Sequence, residues 1–99
     1  MKVAFDEKTK ESLQNKLSEF DKSAVRFMIK GFGWGGPTLG VVLDEQKSED
    51  ISETVDGIKF VVDKDEEYIF EDCKVIYTKT LFGDSFKVIS SAIGESSCD

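Results

Sequence analysis

The chain has 99 residues, and we expect one domain over residues 1–99, because single domains mostly span about 50 to 250 residues. Charged residues make up 33% and hydrophobic residues 39% of the sequence, which is typical of a globular protein. Histidine is absent, which excludes a Ser/His/Asp triad, a Cys/His pair and a His-bearing zinc site built from this chain alone. The net charge of −7 repels a nucleic-acid backbone, and no apolar run is long enough for a membrane helix. We therefore expect a cytoplasmic protein that has neither nucleic acid nor membrane as a partner.

The first predicted element is a one-sided helix over residues 6–20. Its apolar side chains Leu13, Leu17 and Phe20 follow the i, i+4, i+7 spacing of a helix with one buried face. Asp6 stands where its carboxylate can cap the first turn. The pattern therefore predicts an N-terminal helix that packs on the rest of the domain.

At least five strands are predicted after this helix, because apolar and polar residues then alternate with a period of two. The alternating apolar sets are Val25, Phe27 and Ile29; Leu39, Val41 and Leu43; Ile58, Phe60 and Val62; Val75 and Tyr77; and Phe86 and Val88. The polar segment 45–57 is predicted to be a loop with a short edge strand over residues 51–55. Residues 63–70 are predicted to form one or two helical turns.

Short strands without regular helical crossovers favour an α+β or mainly β domain, in which the helix packs on a mostly antiparallel sheet or sandwich. The residues predicted to contribute to its core are Leu13, Leu17, Phe27, Ile29, Val41, Phe60 and Tyr77.

The most unusual segment is glycine-rich and spans Gly31 to Pro37. It matches the spacing GxGxxG, but Pro37 leads into a strand pattern, whereas a dinucleotide fingerprint needs its third glycine to open a helix. A strand connection that uses glycine for its backbone freedom is one interpretation. A functional loop is the other, because Phe32 and Trp34 are large aromatic residues among glycines, where nothing obvious buries them.

The acidic residues predict no catalytic or metal site. Asp63, Asp65 and Glu67 alternate as in a calcium loop, but Tyr68 and Lys74 stand where an EF-hand needs Gly and Glu. A solvated acidic turn is the preferred interpretation. The remaining carboxylates show no spacing that separates a catalytic pair from surface charge.

The two cysteines are too few for a secreted disulfide framework, which favours reduced thiols. Cys73 precedes an apolar strand and is predicted to pack as a small hydrophobic residue. Cys98 lies in a polar tail, where packing gives no reason for a thiol. The cysteine at this position could have a functional role or be present by chance, and both interpretations remain open.

The order of these segments resembles the HesB/IscA-type family of iron–sulfur cluster biogenesis. The matching stretches are the N-terminal helix, the strand 25–30, the glycine loop 31–36, the run 57–63, the strand before Tyr77, and residues 83–87 before a cysteine-bearing tail. The resemblance implies one HesB-like domain with two small, mostly antiparallel sheets. It further implies a homodimer or higher homo-oligomer that carries iron or a [2Fe–2S] cluster to assembly or recipient proteins, without enzymatic chemistry.

The resemblance also indicates where ligands are expected. The family's loop cysteine falls on Trp34, within the glycines Gly31, Gly33, Gly35 and Gly36. Its C-terminal Cys-Gly-Cys is represented by Cys98 alone, so the ligand set is incomplete, and Cys73 is a secondary candidate. In a branch of the family, the loop position holds Cys or selenocysteine. Selenocysteine is encoded by UGA, which differs by one base from the Trp codon UGG. We therefore expect that Trp34 stands where a relative has a chalcogen nucleophile or ligand.

Two other functions remain open at this stage. Cys98 could serve a thiol protein in redox or persulfide transfer, although Glu95 and Asp99 are negative neighbours that would raise a thiol pKa. The chain could instead be a metal-free protein-interaction module that uses its aromatic loop.

Overall fold

The computed structural model describes residues 1–34 and 36–95, the last two by their backbone only. One helix and eight strands lie in this described part of the chain. Their bounds in chain order are β1 Lys2–Ala4, α1 Glu7–Glu19, β2 Ala24–Gly33, β3 Gly36–Asp44, β4 Asp50–Val55, β5 Ile58–Asp63, β6 Asp72–Thr80, β7 Gly83–Ser90 and β8 Gly94–Glu95.

Helix α1 is capped at both ends by local hydrogen bonds. At its start, the backbone N–H of Thr9 donates to Asp6 Oδ1 at 2.8 Å, which satisfies one of the free N–H groups of the first turn. At its end, Asp21 adopts a φ of +55°, and the N–H of Lys22 donates to the carbonyl of Leu17 at 3.0 Å. This is the Schellman arrangement that ends many helices. The predicted helix and its Asp6 cap are confirmed.

The strands form two four-stranded sheets, with the orders β1-β6-β7-β8 and β3-β2-β5-β4. Each sheet contains one parallel pair, β1 with β6 or β2 with β5, and the other pairs are antiparallel. The predicted fold class, mainly β with two small, mostly antiparallel sheets and an N-terminal helix, is confirmed. The edge strand expected over residues 51–55 is β4. The sequence does not predict β1 or β8, because segments of three and two residues are too short to show a period.

The core is formed by side chains from both sheets, α1 and the segment before β6. Phe27 lies at its centre, and its ring stacks on those of Phe60 and Phe70 at centroid distances of 5.5 and 5.1 Å. Such aromatic contacts add to the free energy gained from apolar burial. The side chain of Leu13 anchors α1 on this cluster.

The predicted core residues divide into three groups. Leu13, Phe27 and Phe60 are buried, whereas Leu17, Ile29 and Val41 are half-buried and pack against the core. Tyr77 is also half-buried, but it lies at the surface, where its hydroxyl donates to Asp84 Oδ1 at 2.7 Å.

Two local predictions were wrong. Phe20 does not join the buried face of the helix, because it is the C-terminal cap residue and remains 54% exposed. Residues 64–69 form successive turns instead of helical ones. The N–H of Glu66 donates to the carbonyl of Asp63 at 2.9 Å, and that of Ile69 to the carbonyl of Glu66 at 3.0 Å.

Candidate functional site

The glycine-rich segment forms the end of the β2–β3 hairpin. Phe32 pairs with Pro37, and the last pair in the ladder joins Gly33 to Gly36. The pairing register shifts between Ile29 and Gly31, which is a β-bulge or a related irregularity just below the tip. The segment therefore continues into a strand and not into a helix, as the sequence predicts.

The two aromatic side chains of this tip are exposed. Phe32 is 80% exposed and Trp34 is fully exposed. Phe27, five positions earlier on the same strand as Phe32, is buried in the core. Burying apolar surface is favourable, so two such rings in water are unexplained by the stability of the fold. The functional-loop interpretation therefore gains support over a purely structural turn.

The glycines of the tip have different roles. Gly36 has a φ of +105°, a conformation that other residues adopt only with strain. A Cβ built on Gly31 or Gly33 meets no atom within 4 Å. Close packing against the rest of the domain therefore does not require glycine at these two positions.

Cys73, the secondary ligand candidate, lies in the core, as its sequence context predicts. Its Sγ contacts the carbonyl oxygens of Lys2 and Phe70, each at 3.7 Å. Burial, with a smaller contribution from the charge of Asp72, raises the pKa of the thiol to about 12. Because Cys73 is only 4% exposed and packs within the core, its thiol is not accessible to a metal in this conformation.

The described residues do not fit an iron–sulfur cluster. They include no group of three or more His, Cys, Asp or Glu side chains that could hold a metal ion. At the loop position, the indole N–H of Trp34 can only donate a hydrogen bond and cannot ligate a metal. Of the remaining predicted site residues, Gly35 and Cys98 lie outside the described residues.

The last described residues show where the cysteine-bearing tail begins. Strand β8 pairs with the end of β7, with Ile89 opposite Glu95 and Ser90 opposite Gly94. The hydroxyl of Ser90 donates to the carbonyl of Ile69, which ties this end of β7 to the core. The described part of the chain therefore ends at an edge of the β1-β6-β7-β8 sheet.

A second exposed apolar pair lies at the β6–β7 turn, and the sequence reasoning missed it. Leu81 and Phe82 are 99% and 100% exposed. Thr80 fixes this turn, because its hydroxyl accepts from the N–H of Phe82 at 3.1 Å and donates to the carbonyl of Gly83 at 2.9 Å. The available signal was an apolar pair directly before a glycine, where turn residues are usually polar.

A polar groove of 270 Å³ lies between α1 and the β6–β7 hairpin. The carboxylate of Asp84 accepts from the hydroxyl of Tyr77 at 2.7 Å and forms an ion pair with Lys16 at 3.1 Å. Hydrogen bonds from Tyr77 and Lys16 hold the pKa of Asp84 below its usual range. These groups satisfy one another, and they fasten the helix to the hairpin.

The acidic turn and the acidic loop contain hydrogen bonds that stabilise the fold. The N–H of Asp65 donates to Asp63 Oδ1 at 2.8 Å, which stabilises the turn after β5. Asp44 and Asp50, which the sequence left without a role, bind the guanidinium of Arg26.

Within the described ranges, no helix has the length and apolarity needed to span a membrane.

Comparison with known proteins identifies the fold. No protein-family model and no curated protein sequence matches the chain. Among solved structures, IscA with the [2Fe–2S] cluster is 16% identical, with a TM-score of 0.74 over 90% of this chain and 85% of that one. Escherichia coli SufA, involved in the biosynthesis of iron–sulfur clusters, is 16% identical, with a TM-score of 0.75 over 99% and 87%. A protein from Aquifex aeolicus is 18% identical, with a TM-score of 0.67 over 87% and 88%.

The chain therefore has the HesB/IscA-type fold, which the order of its sequence segments predicts. At these sequence identities, the comparison establishes the fold and not the chemistry of the site.

Proposed function

We propose that the protein acts in iron–sulfur cluster assembly, as a carrier or scaffold whose cargo is iron or a [2Fe–2S] cluster. The observation that carries this proposal is the similarity of nearly the whole chain to IscA and SufA. Its role would be to hold and pass on cargo, and it implies no enzymatic chemistry. Assembly or recipient proteins would be its partners.

The cargo would depend on thiolates beyond the described part of the chain. Cluster iron is typically held by about four cysteine thiolates. Cys73 is buried, and Trp34, which cannot ligate a metal, stands at the loop position where the resembling family has a cysteine, which leaves Cys98 as the candidate. One such cysteine per chain requires a site shared between copies, the arrangement that we propose: a homodimer would supply two of the four thiolates and need further ligands, and a tetramer would supply all four.

Anaerobic reconstitution with iron and sulfide tests the proposal, with absorption recorded from about 300 to 600 nm. We expect iron-dependent absorption that is lost in Cys98→Ser. The matched control is Cys73→Ser, which removes the other thiol and should retain the absorption. A featureless spectrum from folded protein would contradict the carrier role.

A metal-free protein-interaction module is the second candidate. It is favoured by the exposure of Phe32 and Trp34 at the tip of the β2–β3 hairpin. Sedimentation at tens of micromolar under reducing conditions separates the two functions further. A strict monomer would remove the shared-site arrangement and leave the interaction module.

A further inference from the structure

We propose that the tip of the β2–β3 hairpin, formed by Phe32 and Trp34, docks into an uncharged, apolar pocket of a partner protein. This inference goes beyond the proposed function, because it does not require the chain to bind iron. It concerns the two rings that the fold exposes without an evident structural reason.

The charge distribution indicates what kind of surface the tip contacts. Residues 31–43 contain no charged side chain, in a protein of which 33% is charged and whose net charge is −7. The cores of protein interfaces are depleted of charge and enriched in aromatic residues. The tip has both properties, so a pocket without charges is its complement.

The shape of the tip favours insertion into a concave site. Phe32 is 80% exposed and Trp34 is fully exposed, so the described part of the domain covers little of either ring. The pairing of Phe32 with Pro37 and of Gly33 with Gly36 holds the strands together up to the tip. Tryptophan is among the residues that contribute most to binding when they fill a pocket.

The available area argues against a second copy of the chain as the occupant. Aromatic side chains bury about 150 to 250 Å² each, so Phe32 and Trp34 together offer about 300 to 500 Å². A stable protein interface buries about 800 Å² on each partner. A tip-to-tip contact therefore falls short of a stable dimer, so a homo-oligomer would form through other surfaces, and the net charge of −7 opposes an anionic membrane. A transient contact with a different protein remains.

Photo-crosslinking in living cells identifies the occupant. In the full chain, p-benzoylphenylalanine replaces Phe32 while Trp34 is retained, and the cross-linked peptide is sequenced by mass spectrometry. We expect an adduct with one protein, at a peptide that lines an uncharged apolar pocket. The matched control carries the same amino acid in place of Phe82, which is equally accessible but lies at the other turn.

Binding to the purified partner then tests the energetic role of the tip. Trp34 is the only tryptophan, so its fluorescence should shift to shorter wavelength as the ring leaves water. By calorimetry, Trp34→Ser should weaken binding at least tenfold, as expected for a central anchor. Phe82→Ser should change the affinity less than twofold. Both variants should unfold at the temperature of the wild type, because these side chains are fully exposed.

Several results would overturn the proposal. These are adducts confined to a second copy, to residues 96–99 of the same chain or to lipid, and the absence of any adduct at position 32. Wild-type affinity of Trp34→Ser for the cross-linked protein would overturn it as well.

Discussion

The guanidinium of Arg26 donates to both carboxylate oxygens of Asp50, from Nη1 to Oδ1 at 3.0 Å and from Nη2 to Oδ2 at 2.5 Å. Its Nε also donates to Asp44 at 2.6 Å. Arg26 lies on β2, whereas Asp44 ends β3 and Asp50 begins β4. The cluster therefore joins three of the four strands in one sheet, and the side chains of Arg26 and Asp50 are only 12% and 5% exposed.

Removing this arginine should destabilise the fold. We expect Arg26→Ala to lower the free energy of unfolding by about 3 kcal/mol, because it leaves a nearly buried carboxylate without its partner. Lys64→Ala is the control, since its ion pair with Glu49 is exposed, and it should change stability by less than about 0.5 kcal/mol. Urea denaturation measures both values. Equal effects would show that the cluster contributes no more than a surface ion pair.

The same cluster predicts a loss of stability in acid. Hydrogen bonds from Arg26 hold the pKa of Asp44 and of Asp50 below the ordinary value of 3.8. The stabilisation that these two carboxylates give the folded state is therefore complete above pH 3.8, and it is lost as the pH falls through their lower folded-state pKa. Unfolding free energies measured from pH 6 to pH 2 should fall more steeply in the wild type than in Arg26→Ala. Parallel curves would contradict this assignment.

Helix packing can be tested at two positions one turn apart. Leu13 is buried and Leu17 is half-buried. Leu13→Ala should cost about 2 to 5 kcal/mol of unfolding free energy, as is usual for a fully buried leucine. Leu17→Ala should cost roughly half as much, because less apolar surface is lost. Chemical denaturation distinguishes them, and an equal or larger effect at Leu17 would contradict the observed helix face.

The thiol of Cys73 should be unreactive while the protein is folded. The variant Cys98→Ser leaves it as the sole cysteine, and burial raises its pKa to about 12. At pH 8 we expect no reaction with a thiol reagent on the time scale of minutes, because little thiolate is present. In urea, one thiol per chain should react rapidly. Rapid reaction without urea would place Cys73 in an accessible site.

A thiol introduced at the loop position should increase metal binding. Trp34→Cys replaces an indole that cannot ligate by a soft thiolate, so bound iron per chain should rise after reconstitution. The rise should disappear in Trp34→Cys combined with Cys98→Ser if both thiolates bind the same iron. Stability should change by less than about 0.5 kcal/mol, because Trp34 is exposed. Iron levels unchanged in all variants would contradict a vacated ligand position.

The local parts of the fold were predictable because their signals lie within a few residues. The spacing of Leu13 and Leu17 and the cap at Asp6 define α1, and the alternation through Phe60 defines β5. The joint order of the segments indicated the HesB/IscA-type fold. The parallel pair that places Val3 opposite Cys73 was not predictable, because a three-residue strand carries no period and its partner is distant in sequence.

The candidate site was only partly predictable. The sequence identified Phe32 and Trp34 as exposed aromatic residues on a glycine-rich connection, and their exposure is confirmed. The ligand role of Cys98 stays a prediction. The exposed pair at the β6–β7 turn was missed because Leu81 and Phe82 are apolar, whereas turn residues are usually polar, and only the hydrogen bonds of Thr80 show how the chain reverses there.

The pairing of β1 with β6 has a consequence for synthesis on the ribosome. Val3 finds its partner only after Cys73 has been translated, and at about 5 to 20 residues per second this takes roughly 4 to 14 s. During that interval the first strand has no β6 to pair with, and its sheet cannot form. The β3-β2-β5-β4 sheet, in contrast, has all its strands once Asp63 has been added. Assembly during translation should therefore proceed from this sheet, and the N-terminal strand should join the domain among the last elements.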